Sequence, residues 1–202
     1  MTIKDRNRLK DHYSEKAKKE GYPARSVFKL GELDAKHRIL GPGMRVLDLG
    51  AAPGSWSLYA SGKTGPKGLV VALDLKKLTV RSPNIRAFEA DILKTDPSLR
   101  EDGGPFDAVL SDLAPSTTGI GSVDSERSLE LNKAALKWAE RLLRPGGSFL
   151  FKMFQGGSSD AHVKERVKPL FRDVILLKPK ATRKGSAEIF VLGKGFLKRK
   201  EG

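Results

Sequence analysis

Apolar and polar positions along this chain follow two kinds of pattern in alternation. Seven short stretches are dense in Val, Leu, Ile or Phe and bounded by Gly, Pro or Asp: Arg45–Leu49, Gly68–Leu73, Ile85–Glu89, Phe106–Ser111, Ser148–Phe154, Val174–Lys178 and Ala187–Leu192. Such runs predict strands. Between several of them the spacing is helical. The clearest case, Glu126–Leu143, sets Leu129, Ala135, Leu136, Ala139, Leu142 and Leu143 on one broad stripe and is stopped by Pro145-Gly146-Gly147. Val27–His37 and Ala161–Phe171 predict further helices, and another opens near Ser55. Alternating strands and helices predict an α/β architecture with a parallel, doubly wound sheet. The last two strands have no helix between them and a Gly-bearing loop, which predicts an antiparallel hairpin at the end of the sheet. With no internal repeat and no low-complexity linker, residues 1–202 read as one domain.

Composition narrows the partners. Hydrophobic residues make up 39% of the 202 positions, enough for a core, which excludes a wholly disordered chain. The net charge is +14, an excess that the fold does not require and that predicts a polyanionic partner, nucleic acid before an anionic membrane surface. Residues 1–38 carry +5 and residues 178–202 carry +6, against +3 for the long middle, so the two ends are the basic parts. There is no cysteine, hence neither a disulfide framework nor a thiolate metal site, and the three histidines (His12, His37, His162) are too scattered to suggest zinc. No apolar run is long enough for a membrane span, and MTIKDRNRLK lacks the apolar region of a signal peptide, so a cytoplasmic location is expected.

Ligands of open α/β sheets bind outside the carboxyl ends of the strands. After the first strand comes Asp48-Leu49-Gly50-Ala51-Ala52-Pro53-Gly54-Ser55-Trp56, a small-residue turn that lets backbone approach a ligand. It is not G-x-G-x-x-G, which argues against a pyrophosphate site and a nicotinamide-dependent oxidoreductase. Acidic residues then close successive strands. Asp74 stands at the spacing of a carboxylate that accepts both ribose hydroxyls, Asp91 could accept from an adenine amino group, and Asp112 ends the fourth strand. A single such Asp is commonly a helix cap, but three after a glycine-rich turn point to a nucleoside pocket. With no phosphate cradle, the expected ligand is a nucleoside carrying positive charge, a description S-adenosylmethionine meets.

Three charged residues sit in unexpected places. Lys152 interrupts the apolar strand Ser148-Phe149-Leu150-Phe151-Lys152-Met153-Phe154, where an ammonium is costly unless paired or near a solvated cleft. Glu188 is a lone carboxylate in Ala187-Glu188-Ile189-Phe190-Val191-Leu192, a pattern also produced by an edge-strand charge that deters aggregation. Lys29, in Arg25-Ser26-Val27-Phe28-Lys29-Leu30, would alone pass for an exposed helix lysine.

From about Arg25 to Leu192 the chain resembles the FtsJ/RrmJ-type methyltransferases, which move a methyl group from S-adenosylmethionine to a ribose 2′-hydroxyl in RNA. The signposts, in order, are Phe28-Lys29-Leu30, Asp48 to Gly54, Ser111-Asp112-Leu113-Ala114-Pro115, Leu143-Arg144-Pro145-Gly146-Gly147 and Phe151-Lys152-Met153-Phe154-Gln155-Gly156. The resemblance implies a Rossmann-like S-adenosylmethionine-dependent fold with a mostly parallel seven-stranded sheet and an antiparallel terminal hairpin. It implies a catalytic tetrad of Lys29, Asp112, Lys152 and Glu188, and cofactor positions at Gly54, Trp56, Asp74, Asp91 and Asp112. Gly50, in the same turn, joins the cofactor set. Ser55 departs from the family, whose bacterial members usually read Gly there. Tyr22-Pro23-Ala24 replaces a stretch that is often more basic.

The reaction this implies is an in-line displacement in which a ribose 2′-oxygen attacks the sulfonium methyl, so alignment and removal of one proton are what the protein must supply. Lys152 is the expected base. Lys29 would lie near enough to bring that lysine toward neutrality, Asp112 would orient Lys152 and face the sulfonium, and Glu188 would hold Lys29 or the ribose. Lys4, Arg6, Arg8, Lys10, Lys16, Lys18, Lys19 and Arg25 on one side, and Lys178, Lys180, Arg183 and Lys184 on the other, are expected to meet RNA phosphates. Aromatics are scarce, at 7%, so recognition would rest on shape and phosphate contacts. Among family members the short chain most resembles the bacterial branch that methylates a uridine in the A loop of 23S ribosomal RNA within the large subunit. A tRNA anticodon-loop methyltransferase and a non-catalytic ribosome assembly factor are the alternatives. A monomer without metal is expected.

Overall fold

The computed structural model describes residues 12–96, 104–115, 121–183 and 185–197. A helix over residues 12–19 (α1) leads to α2 (Val27–His37), β1 (Arg45–Leu49), α3 (Ser55–Thr64), β2 (Leu69–Asp74), β3 (Ile85–Glu89) and β4 (Phe106–Ser111). There follow α4 (Gly121–Leu142), β5 (Leu143–Phe154), α5 (Gly157–His162), β6 (Phe171–Leu177) and β7 (Glu188–Phe196). The seven strands form one sheet in the order β3-β2-β1-β4-β5-β7-β6. Strands β3, β2, β1, β4 and β5 are mutually parallel, while β7 runs antiparallel to both β5 and β6. The sheet is thus the mostly parallel, seven-stranded one expected, with the hairpin at its end.

Both faces of the central strands are covered, which is why β1, β2 and β4 are almost continuously apolar. On one face Leu47, Leu49, Val71, Val109, Phe149 and Phe151 pack under Ala135, Leu136, Trp138 and Leu142 of α4. On the other, Val46, Val70, Leu110, Leu150 and Phe190 meet Leu30 and Leu33 of α2 and Trp56 and Ala60 of α3. Trp138 is fully core, its indole N–H donated to the Ile92 carbonyl at 3.1 Å.

Several boundaries differ from expectation: α4 starts at Gly121 and not Glu126, β5 starts at Leu143 and not Ser148, and β7 runs on to Phe196 and not only Leu192, with shifts of one residue at other strand ends. The helix expected over Ala161–Phe171 is broken into α5, a π turn at Val163–Val167 and a 3-10 turn at Lys168–Leu170. Pro169 has no N–H with which to continue an α-helix. Strand β6 starts at Phe171, not Val174, because Phe171 pairs with Phe196 and its ring stacks on Phe149. Tertiary packing sets that boundary, and local spacing does not show it.

The topology gathers one edge of the sheet. Parallel strands β1, β2, β4 and β5 end there, and the reversal at β7 makes its first residue, Glu188, arrive at that edge opposite Phe154, the last residue of β5. Glu188 is therefore not an edge-strand charge, since β7 lies between β5 and β6.

Candidate active site

Two ion pairs stand at this edge. Lys29 on α2 donates to Glu188 Oε1 at 2.6 Å, with side chains only 12% and 13% exposed. Thr182 Oγ1 lies 3.4 Å from the same oxygen, and the Glu188 amide is held by Ser186 Oγ at 3.1 Å. In the second pair, Lys152 Nζ is 2.9 Å from Asp112 Oδ1. The ammonium is off the line of a hydrogen bond to that oxygen and donates instead to the Asp112 main-chain carbonyl, also at 2.9 Å. Phe190 lies between the pairs. It is the cross-strand partner of Lys152, and its ring centroid is 5.8 Å from Lys29 Nζ. The four residues named from sequence are thus brought together as Lys29–Glu188 and Lys152–Asp112.

The glycine turn lies beside them. Gly50 and Ala51 donate their amides to the Leu73 carbonyl, and the Ala52 amide goes to Asp74 Oδ2 at 2.9 Å. Gly54 has φ +117°, a conformation side chains resist, and a Cβ there would run into Val80. Asp74 Oδ1 accepts the Lys76 amide at 2.9 Å, so each oxygen of Asp74 holds one backbone N–H and keeps a free lone pair. Asp91 Oδ1 caps the Leu93 amide at 2.9 Å, with Lys94 Nζ 3.8 Å from Oδ2.

Trp56, expected as a cofactor position, turns its indole into the core. Its ring is 3% exposed, packs 5.8 Å from Phe190 and donates Nε1–H to the Ser26 carbonyl at 2.9 Å. What it can offer a ligand is its main-chain N–H in the first turn of α3, where amides lack intrahelical acceptors. Ser55, the departure from the family pattern, is 2% exposed, and its Oγ accepts the Ala24 amide at 2.7 Å. Both residues therefore fasten the segment preceding α2, and so Lys29, to the glycine turn.

The basic residues group in part. Arg25 is half-buried; burial first, then the nearby Arg183 charge, lowers its proton affinity below the usual guanidinium range, with Glu188 opposing. Lys178 and Lys180 are exposed. Lys178 Nζ donates to the Ser186 carbonyl, and the Lys180 amide to Glu32 Oε2. Lys16 pairs weakly with Glu20 at 3.8 Å and lies over the Phe28 ring, and Lys18 and Lys19 are exposed on α1. Lys4, Arg6, Arg8, Lys10 and Lys184 lie outside the described residues. Among the described residues no group of three or more His, Asp or Glu is arranged to hold a metal, and no helix is long and apolar enough to cross a membrane.

Sequence reasoning missed Asp48. This β1 carboxylate is 1% exposed, with Oδ2 accepting from Ser57 Oγ at 2.6 Å and Oδ1 left without a partner. Burial, reinforced by the charges of Asp112 and Asp74, raises its pKa to about 7 despite the Ser57 hydrogen bond. The signal was present, since Asp48 interrupts an apolar strand as Lys152 does.

A family model described as FtsJ-like methyltransferase matches residues 22–196. The chain belongs to the FtsJ-like methyltransferases. Relatives include a protein from Desulfatibacillum aliphaticivorans, 49% identical over 94% of this chain and 92% of its own length, and one from Syntrophobacter fumaroxidans, 51% identical over 92% and 95%. Both are named ribosomal RNA large subunit methyltransferase E. Among solved structures, one from Plasmodium falciparum, described as a ribosomal RNA methyltransferase, superposes with a TM-score of 0.76 at 28% identity, covering 88% of this chain and all of that one.

Proposed function

We propose that the protein transfers a methyl group from S-adenosylmethionine to a ribose 2′-hydroxyl of ribosomal RNA, at a uridine in the A loop of 23S RNA in the large subunit. The observation that carries this reading is the convergence of two lysine–carboxylate pairs beside a glycine turn flanked by Asp74, Asp91 and Asp112. The ribosomal substrate is supported by the names of the relatives, which cover nearly the whole chain.

The donor set fits the cofactor. Carboxylates with acceptor capacity remaining suit ribose hydroxyls and an amino group. Gly50, Gly54, Trp56 (through its main chain), Asp74, Asp91 and Asp112 are the residues that would hold it. When bound, S-adenosylmethionine supplies a methyl group on a positively charged sulfur. Lys152, once its ammonium has given up a proton to solvent, takes the hydroxyl proton as a neutral amine, its nitrogen held beside Asp112. Lys29, anchored by Glu188, orients the ribose oxygen. Arg25, Lys178, Lys180 and Arg183 hold phosphates flanking the target, with the other basic residues of both ends extending that contact. RNA affinity then falls steeply with salt, and a flat salt response would remove the phosphate role.

The test offers labelled S-adenosylmethionine with unmodified large subunits, protein-free ribosomal RNA and unmodified tRNA, and maps the label. A 2′-O-methyl uridine in the large subunit is the expected result. Label in tRNA would overturn the substrate, and no transfer to any RNA would overturn the activity.

A further inference from the structure

Asp48 has no part in the mechanism above, yet it lies directly behind the glycine turn, two residues before Gly50. It is closed off from solvent, and one of its two oxygens meets no donor. A carboxylate in that state has an uncompensated charge, whereas a carboxylic acid has one oxygen satisfied by Ser57 and no net charge to bury. The charged groups acting on it are Asp112 and Asp74, both of its own sign. Lys152 is paired with Asp112, Lys29 with Glu188 and Lys63 of α3 with Asp34, so none of these three lysines neutralises Asp48.

Resting on the cofactor reading above, we propose that Asp48 senses the charge of the bound cofactor: it is a carboxylic acid in the empty site and gives up its proton when a cationic nucleoside binds. The exchange balances, since one positive charge enters the site and one proton leaves it. S-adenosylmethionine carries a net charge of about +1 and its demethylated thioether product about zero, so the residue favours the donor over the spent product. Asp48 is a positioning residue in this scheme, not a catalytic one, and its effect is read in binding and not in turnover. Its carboxyl titrates at about 7 in the empty site. Donor affinity therefore rises about tenfold between pH 6 and pH 8, and about half a proton is released at pH 7.

Isothermal titration calorimetry of the full chain with S-adenosylmethionine and with S-adenosylhomocysteine, at pH 6, 7 and 8 in phosphate and in Tris, counts those protons. Asp48→Asn keeps the acceptor for Ser57 and removes the titration, so subtracting its result also removes the amino-group protonation of the ligands themselves. The expected result is donor-linked proton release in the wild type, reduced with the thioether and absent in D48N. Equal release by wild type and D48N, or equal release for both ligands, overturns the proposal. Should D48N fail to fold, the ¹³C carboxyl shift of Asp48 in the wild type decides. A change to the ionised value on adding donor and not thioether supports the proposal, and no change overturns it. If neither compound binds the wild type, the cofactor reading falls and this inference with it, whereas binding without Asp48-linked protons sinks this inference alone.

Discussion

Lys152 and Asp112 allow separation of what a residue does for the fold from what it does for the reaction. Their charges are 2.9 Å apart, with side chains 8% and 18% exposed. At an effective dielectric near 20, that separation gives a gross attraction of about 6 kcal/mol, offset in large part by the desolvation of both groups. Breaking the pair from one side forfeits the attraction while leaving the other charge desolvated. Lys152→Met and Asp112→Asn should each cost about 2–3 kcal/mol, discounted from the fully buried case for the remaining exposure of Asp112. The double variant buries no unpaired charge and should lie within about 1 kcal/mol of the wild type, a coupling of at least about 3 kcal/mol. Urea unfolding of the four proteins measures this. Turnover should behave differently, because loss of a general base costs on the order of 10²- to 10⁴-fold and is not restored in the double variant. K152M should bind the cationic donor at least as well as the wild type, since Asp112 loses its counter-charge. Coupling below about 0.5 kcal/mol would refute the energetic reasoning, and K152M turnover within tenfold of wild type would refute the base assignment.

Three further outcomes follow from local geometry. Ser55→Ala strips the acceptor from the Ala24 amide; it should cost about 1 kcal/mol and speed hydrogen exchange at Ala24 and through the start of α2, with cofactor affinity little changed. Gly54→Ala forces a side chain to φ +117° and into Val80; it should cost about 2–3 kcal/mol and weaken donor binding, and adding Val80→Ala should recover only part, because the backbone strain remains. Asp48 ionises near 3.8 when unfolded but about 7 when folded, so between those values the native state binds more protons. Wild-type stability should therefore fall relative to D48N as pH rises from 4 to 7, by up to about 4 kcal/mol, and level off above 7; parallel curves in chemical denaturation would contradict the buried carboxyl.

The chain's local patterns carried the element types, because burial on both faces of a parallel sheet demands apolar runs and the covering helices demand a stripe. Strands Arg45–Leu49, Ile85–Glu89 and Phe106–Ser111 and helix Val27–His37 have the bounds their spacing predicts. Lys152 was also legible, since a charge inside an apolar strand demands an explanation wherever the strand lies. Other features depended on contacts far apart in sequence. Lys29 and Glu188 are 159 positions apart, and only the antiparallel insertion of β7 between β5 and β6 brings the start of that strand to the edge where α2 can reach it. Trp56 could be placed near the turn by its motif, but which way the indole points was decided by the Ser26 carbonyl and Phe190. The partnerless oxygen of Asp48 could not be seen in a one-dimensional pattern at all. An unpaired polar atom is a property of everything packed around it, and that is fixed only when the whole sheet and its covering helices have closed.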